Sequence, residues 1–156
     1  KIAAYAQLVN VLAPIMTDKN GQLWRNTIFY PIFYTSKYGR GTAIQGVIQS
    51  PKYDSKDFTD VPVLDAVAVL NEDETELTVF AINKSLKDKL VIQCDFRSFG
   101  HLEMIQHIAL ENDNVYSVNT LKNPNLVLPS EKKIASEVNQ LSLEPLSWNM
   151  LRYKIK

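Results

Sequence analysis

The sequence contains only one cysteine, Cys94, among its 156 residues. A single thiol can form neither an internal disulfide nor a metal site that requires several thiolates. The sequence also has no run of about 18 apolar residues, the length that a membrane-spanning helix requires. We therefore expect no membrane partner. A lone free thiol fits a reducing compartment, and we expect the protein to be cytoplasmic.

The chain also lacks an excess of charge of either sign, because 17 basic residues balance 17 acidic residues. Proteins that bind nucleic acid usually carry a basic excess that displaces counterions from the phosphates. The balance therefore argues against a nucleic-acid partner. In contrast, 46% of the residues are hydrophobic, which argues against disorder and is enough to bury one or two cores.

Both ends of the sequence lie next to apolar stretches. Lys1 is followed at once by apolar residues, without the charged leader and cleavage site of a signal peptide. The last apolar stretch, residues 148–155, is followed only by Lys156. These features predict a chain that begins inside a folded element and comes from the C-terminal side of a larger protein.

The first 41 residues have the pattern of a strand followed by a helix. Residues 2–12 are almost continuously apolar, which predicts a strand buried on both faces and the turn after it. Residues 23–38 place apolar side chains at helical spacing, and Pro31 predicts a kink or a short first segment. Gly39 and Gly41 are suited to end the helix.

After Gly41 the apolar period changes from helical to two residues, the period of a strand. Repeated short strands with polar turns predict a mainly β fold, an antiparallel β-sandwich of jelly-roll type. The predicted strands cover residues 43–49, 64–70, 77–82, 90–96, 102–110, 134–138 and 148–155, and an acidic turn joins the second and third as a hairpin. Four apolar residues are expected to share one face of a strand: Leu102, Met104, Ile108 and Leu110.

Two groups of acidic residues are candidates for chemistry, but solvated loops explain them better. The first group is Glu72, Asp73, Glu74 and Glu76. It lies at a hairpin tip, which offers no apolar pocket or shared substrate for a general acid. The second group is Asp54, Asp57 and Asp60. It lacks the spacing, glycine and distal glutamate of a calcium-binding EF-hand, and Asp in loops commonly bonds to nearby backbone groups.

The two histidines, His101 and His107, lie on or beside one predicted strand. The strand between them spans about 20 Å, which is too far for both side chains to bind one metal ion. We therefore expect both to be structural or surface residues, and we expect no metal and no cofactor.

Flat aromatic side chains could stack on sugar rings, but at helical spacing they more often form a core or an interface. The candidates are Trp24, Tyr30, Tyr34, Tyr38, Tyr53 and Trp148. For Trp148, which opens the last apolar strand, a core position is favoured.

Gln7 is a polar side chain within the first apolar stretch. In barrels of alternating strands and helices, ligands bind at the carboxyl ends of the strands, where Gln7 would lie. An amide both donates and accepts hydrogen bonds, which suits recognition of a pair of sugar hydroxyls. An amide satisfied by neighbouring backbone explains the residue equally well, and spacing alone leaves both interpretations open.

Several stretches resemble, in the same order, the family 51 glycoside hydrolases, which are retaining α-L-arabinofuranosidases. They are KIAAYAQLVNVLAPI (1–15), WRNTIFYP (24–31), SPKYD (50–54) with DVP (60–62), and PLSWNM (145–150). The family often has Val or Ile at the position of Met150. The resemblance covers nearly the whole chain, and several ordered matches are more specific than any single motif.

The resemblance implies that a catalytic (β/α)8 barrel is followed by a C-terminal β-sandwich. Residues 1–41 would be the last strand and helix of the barrel, and residues 42–156 the sandwich. It also implies that two glutamates upstream of Lys1 carry out hydrolysis with retention, so that no acidic residue here is catalytic and the fragment alone is inactive. Gln7 matches the family's last-strand glutamine, which contacts the arabinofuranosyl ring.

The implied substrates are arabinan, arabinoxylan or arabino-oligosaccharides, from which terminal arabinofuranosyl residues are released, and members of the family are commonly homo-oligomers. Two other functions remain open from the sequence. The sandwich could be a free-standing carbohydrate-binding module with Trp148 or Tyr53 as its platform. It could also be a scaffold that braces the barrel and supplies subunit contacts.

Overall fold

The computed structural model describes Ala4, residues 6–134 and residues 140–156. Its helix, α1, is Phe29–Tyr38, and a single 3-10 turn covers Arg97–Phe99. The strands are β1 (Ile15–Thr17), β2 (Leu23–Arg25), β3 (Thr42–Ile44), β4 (Lys52–Tyr53), β5 (Val61–Pro62), β6 (Leu64–Leu70), β7 (Glu76–Asn83), β8 (Leu90–Gln93), β9 (Leu102–Leu110), β10 (Ser130–Glu131), β11 (Gln140–Leu143) and β12 (Ser147–Ile155).

A six-stranded antiparallel sheet forms the centre of the fold, in the order β10-β9-β12-β7-β6-β3. β6 and β7 form the predicted hairpin, with Leu70 opposite Leu77 at its closed end. The last strand, β12, pairs along nearly its whole length with β7 on one edge and with β9 on the other. The final strand of the chain therefore lies in the middle of the sheet.

One face of this sheet packs against the antiparallel pair of β8 and β11. Leu151 and Tyr153 of β12 are fully buried in this layer, next to Leu77 of β7. Leu141 and Leu143 reach the same core from β11. Apolar residues that alternate along each strand thus fill the space between two sheets, and the predicted antiparallel sandwich is confirmed.

The opposite face of the large sheet packs against α1. The ring centroids of Tyr34 in α1 and Trp148 in β12 are 6.0 Å apart, with the rings stacked. Trp148 also contacts Phe80 of β7 at a centroid distance of 5.9 Å. The guanidinium carbon of Arg152 lies 4.1 Å from the ring centroid of Tyr38, which adds a cation–π contact. Aromatic side chains therefore join the helix to the sheet.

A bulge in β9 overturns the prediction that four of its apolar residues share one face. Consecutive residues of β12 lie opposite Gln106 and Met104, so Ile105 is an extra residue in β9. One extra residue reverses the alternation of side chains beyond it. As a result, Leu102 and Met104 face the sandwich, whereas Ile108 and Leu110 face the side of α1.

The first apolar stretch does not form the predicted strand where the structure describes it. Residues 1–3 and 5 lie outside the described part, and residues 6–12 consist mainly of bends. One isolated bridge joins Val9 to Ile15, and Leu12 is 84% exposed. A parallel strand buried on both faces needs a neighbour along each edge, and the described residues provide only this single bridge.

The helix begins later than the spacing predicts. Leu23–Arg25 pairs with β1 as a hairpin, and α1 starts only at Phe29. Pro31 lies in the first turn of α1, where its missing N–H removes no helical hydrogen bond. The short helical segment expected before Pro31 is therefore absent, and the helix begins only two residues upstream of it. The end is as predicted, because the Gly39 N–H bonds to the Thr35 carbonyl at 2.8 Å.

The remaining strand predictions were partly correct. β3 and β8 are shorter than predicted, and the strand expected at residues 134–138 lies outside the described residues except for Ile134.

In the long connection before β10, the side chain of buried Asn119 donates to the carbonyls of Arg25 and Val127 at 3.1 and 2.9 Å. No helix among the described residues has the length and apolar character needed to cross a membrane.

Candidate functional site

Gln7 lies in the irregular segment before β1, and its side chain is exposed. The segment is anchored nearby, because Asn10 Oδ1 accepts a hydrogen bond from the Thr17 N–H at 2.7 Å and Asn10 Nδ2 donates to Thr17 Oγ1 at 2.8 Å. Asn10 and Val11 have φ angles of 61° and 57°. Asn tolerates this left-handed backbone, whereas a β-branched Val is strained there. The binding role of Gln7 stays a prediction.

The aromatic candidates divide between the core and the surface. Trp148 is half-buried between Tyr34 and Phe80 and packs against the buried cluster there, which confirms the preferred core position. Tyr30 is buried in the adjoining cluster, and Tyr53 of β4 is 39% exposed. These contacts give most of the aromatic set a role in holding α1 on the sheet.

The acidic hairpin is only partly the solvated turn that the sequence predicts. Glu72, Asp73 and Glu74 are exposed, as expected. Glu76 is different, because it opens β7, is partly buried and accepts a hydrogen bond from Arg152 of β12. The reason is the register of the sheet, which places the two residues on the same face of neighbouring strands.

Arg152 is a residue that the sequence analysis missed. Besides bonding to Glu76 and covering the Tyr38 ring, it donates to Gln106 of β9 at 3.1 Å. It thereby connects three strands and the helix. The signal available in the sequence was an arginine between Leu151 and Tyr153 in the last predicted strand.

The second acidic group forms the loop that the sequence predicts. Asp54 Oδ1 accepts a hydrogen bond from the Asp60 N–H at 2.9 Å, and Lys52 lies 3.5 Å from the Asp60 carboxylate. All three aspartates, including Asp57, are exposed.

Cys94 is half-buried, and burial raises the pKa of its thiol, so the thiol is protonated and weakly nucleophilic at neutral pH.

The two histidines have different environments. His101 is exposed, whereas His107 is only 5% exposed because the bulge turns it toward the sandwich. His107 Nε2 lies 3.0 Å from Asn149 Oδ1. Burial lowers the pKa of His107, and the hydrogen bond to Asn149 opposes this effect; nearby Lys132 lowers the pKa further and Glu111 raises it. His107 is therefore a neutral structural residue, as expected.

Within Ala4, 6–134 and 140–156, no three His, Cys, Asp or Glu side chains are grouped so that they could hold a metal ion. The fold and these arrangements define an antiparallel β-sandwich domain with one helix packed on its outer face. Residues 1–147 match the family model of the α-L-arabinofuranosidase C-terminal domain, and the chain belongs to this family.

Similar proteins agree with this assignment. The chain is 49% identical to an intracellular exo-α-(1→5)-L-arabinofuranosidase from Halalkalibacterium halodurans and 45% identical to intracellular exo-α-(1→5)-L-arabinofuranosidase 1 from Bacillus subtilis, over 97% and 99% of its length. A solved family 51 α-L-arabinofuranosidase from Bifidobacterium longum matches 96% of the chain with a TM-score of 0.89 and 32% identity. These similarities confirm the resemblance to family 51.

The chain spans about a third of these proteins. It covers 31% of each of the two sequences and 29% of the solved chain. The greater part of each relative therefore has no counterpart among the residues described above.

The buried position of His107 predicts a loss of stability in acid. Its pKa in the folded chain lies below the ordinary value of 6.5, so below that pH the unfolded chain binds a proton that the folded chain does not. We expect the free energy of unfolding, measured with urea, to decrease as the pH is lowered from about 7.5 to about 5.5. The decrease should be smaller in His107→Gln.

The matched control is His101→Gln, which removes the exposed histidine. This variant should keep the pH dependence of the unmodified chain. If His107→Gln and the unmodified chain lost the same amount of stability over this pH range, the assignment of a neutral, buried His107 would be wrong.

Proposed function

We propose that the chain is the C-terminal part of a retaining α-L-arabinofuranosidase. The observation that carries this proposal is the family match over residues 1–147, together with relatives that are 49% and 45% identical. The whole protein would release terminal arabinofuranosyl residues from arabinan, arabinoxylan or arabino-oligosaccharides. Because those two relatives are named as intracellular, we place the protein in the cytoplasm.

In this proposal, residues 1–41 supply the last strand and helix of a (β/α)8 barrel and residues 42–156 form the C-terminal sandwich. The contacts of Tyr34 with Trp148 and of Tyr38 with Arg152 support such an arrangement. Through them, the sandwich would hold the outer helix of the barrel in place. The sandwich would thus support the stability of the barrel and the assembly of a homo-oligomer.

The proposed chemistry takes place outside this chain. Retaining hydrolysis uses one glutamic acid to protonate the glycosidic oxygen and a second glutamate to attack the anomeric carbon. The candidate carboxylates described here are exposed in turns, as in Asp73, or paired with a basic residue, as in Glu76. Neither setting provides two carboxyls facing a shared substrate, which agrees with what the family resemblance implies, namely that both catalytic glutamates lie upstream of Lys1.

The contribution of this chain to the active site would be Gln7. The anchored turn at Asn10 and Thr17 restrains the backbone only a few residues beyond Gln7, which supports a defined position for the amide. Its N–H and carbonyl groups would bond to hydroxyls of the arabinofuranosyl ring in the glycone subsite. Gln7 would bind substrate and would take no part in proton transfer.

The proposal predicts that the isolated chain has no hydrolase activity. We expect no release of the aryl group from an aryl α-L-arabinofuranoside by the purified 156-residue chain, whereas the full-length protein should hydrolyse it under the same conditions. Circular dichroism of the chain controls for folding. Turnover above background that co-purifies with the chain would refute the proposed location of the catalytic glutamates.

For Gln7, the proposal predicts a modest loss of substrate binding. In the full-length protein, Gln7→Ala should lower kcat/KM by about two- to tenfold, which corresponds to the loss of one hydrogen bond between neutral groups. Gln22→Ala, at an exposed position before β2, is the matched control and should leave the kinetics unchanged. Kinetic constants of Gln7→Ala equal to those of the unmodified enzyme would reject the role.

A further inference from the structure

The connection between β9 and β10 contains a loop, residues 114–128, whose large apolar side chains are mostly exposed. Six of them are between 39% and 87% exposed: Val115, Tyr116, Val118, Leu121, Leu126 and Leu128. The loop contains a single charged side chain, Lys122. Apolar side chains gathered in one exposed segment that has almost no charge are typical of a surface that another structure covers.

Hydrogen bonds give the 114–128 loop a defined shape. Asn119 is buried within it, where its Oδ1 accepts a hydrogen bond from the Val127 N–H at 2.8 Å and its Nδ2 donates to the Val127 carbonyl at 2.9 Å. Between these residues, the N–H groups of Thr120 and Asn123 each bond to the carbonyl of the other, at 3.2 and 3.1 Å. A segment that is already ordered loses less conformational entropy when it meets a partner. The exposed apolar residues therefore lie on a preformed surface.

The 114–128 loop lies beside the part of the chain that the proposed function assigns to the barrel. Asn119 Nδ2 also donates to the Arg25 carbonyl, at the end of β2, at 3.1 Å. Val127 packs in the same buried cluster as Tyr30 of α1. Because β1 and β2 come between Gln7 and α1, they would belong to the connection from the last barrel strand to the last barrel helix. Connections of this kind lie side by side at the carboxyl ends of the strands and form the ligand-binding face of a barrel.

The segment around β1 and β2 has exposed apolar side chains of its own, among them Leu12, Leu23 and Ile28. In the proposed barrel, these side chains would be covered by the elements that precede Lys1, and the chain spans only about a third of the relatives that it matches. The hydrogen bond from Asn119 to Arg25 joins the 114–128 loop to this segment. A second copy of the chain fits less well, because it would have to cover a surface that continues onto residues which the barrel itself buries.

We infer that the 114–128 loop docks on the upstream part of the same polypeptide, against the barrel loops that neighbour β1 and β2. The inference rests on the proposed function, which supplies the barrel. It goes further by assigning a second contact between the sandwich and the barrel, separate from the packing of α1 on the large sheet. Burial of side chains such as Tyr116 and Val118 stabilises this contact. The sandwich then braces the face of the barrel on which Gln7 lies, in addition to its outer helix.

The experiment places the photoreactive residue p-benzoyl-L-phenylalanine at the position of Tyr116 in the full-length protein. On irradiation it should form a cross-link within one polypeptide, to a peptide that precedes Lys1, as identified by mass spectrometry after digestion. The matched control places the same residue at Val91, which is exposed on β8 of the small sheet, on the opposite side of the large sheet from α1. No cross-link to an upstream peptide is expected there.

Three outcomes would overturn the inference. A covalent dimer on a denaturing gel would show that a second copy covers the 114–128 loop. Cross-links confined to residues 1–156, or no cross-link at all, would show that the upstream part does not contact it.

Val118→Asp tests whether apolar contacts hold the 114–128 loop in place. In the full-length protein with the photoreactive residue at Tyr116, it should lower the yield of the cross-link by roughly tenfold, because a carboxylate is costly to bury against apolar surface. Val91→Asp is the matched control and should leave the yield unchanged. If Val118→Asp does not fold, Val118→Ser makes a smaller change and should lower the yield several-fold. An unchanged yield in the folded variant would contradict the apolar contact.

Hydrolysis of an aryl α-L-arabinofuranoside separates this inference from the proposed function. A full-length protein that hydrolyses the substrate but forms no upstream cross-link would overturn the inference and leave the proposed function intact. A full-length protein without activity would reject the proposed function, whereas the cross-link would still decide where the 114–128 loop docks.

Discussion

The structure depends on the two-sided packing of β12. This strand is hydrogen-bonded along both edges, and consecutive residues point to opposite faces of the sheet. Met150 and Leu151 are both fully buried, one toward α1 and the other toward the sandwich. A single nine-residue segment therefore joins two layers of apolar contacts, and Trp148 and Arg152 extend the link to the helix.

The elements with a regular apolar period could be predicted from the sequence, whereas those decided by distant pairing could not. The apolar runs at residues 64–70 and 77–82, with the acidic turn between them, were sufficient to predict the central hairpin, and the apolar stretch at residues 148–155 was sufficient to predict the last strand. The bulge at Ile105 leaves no such pattern, because it becomes visible only in the pairing of β9 with β12. Likewise, Leu23–Arg25 has helical spacing but is held as a strand by β1.

Polar contacts between residues close in sequence could also be predicted, whereas polar contacts between distant residues could not. Local turns such as the loop around Asp54 were predictable, because the partners are close in sequence. Arg152 and Glu76 are 76 residues apart, and His107 and Asn149 are 42 residues apart, so only the folded sheet brings each pair together. For Gln7, the resemblance to a family supplied the proposed role, which the spacing of residues alone had left open.

Native-state amide hydrogen exchange of α1 is the most direct measurement of the central claim that β12 holds the helix on the sheet. The account predicts that Trp148→Leu lowers the protection of the α1 amides, because stacking on Tyr34 is lost, more than it lowers the protection of β6 and β7. Protection of α1 equal to that in the unmodified chain would contradict the account.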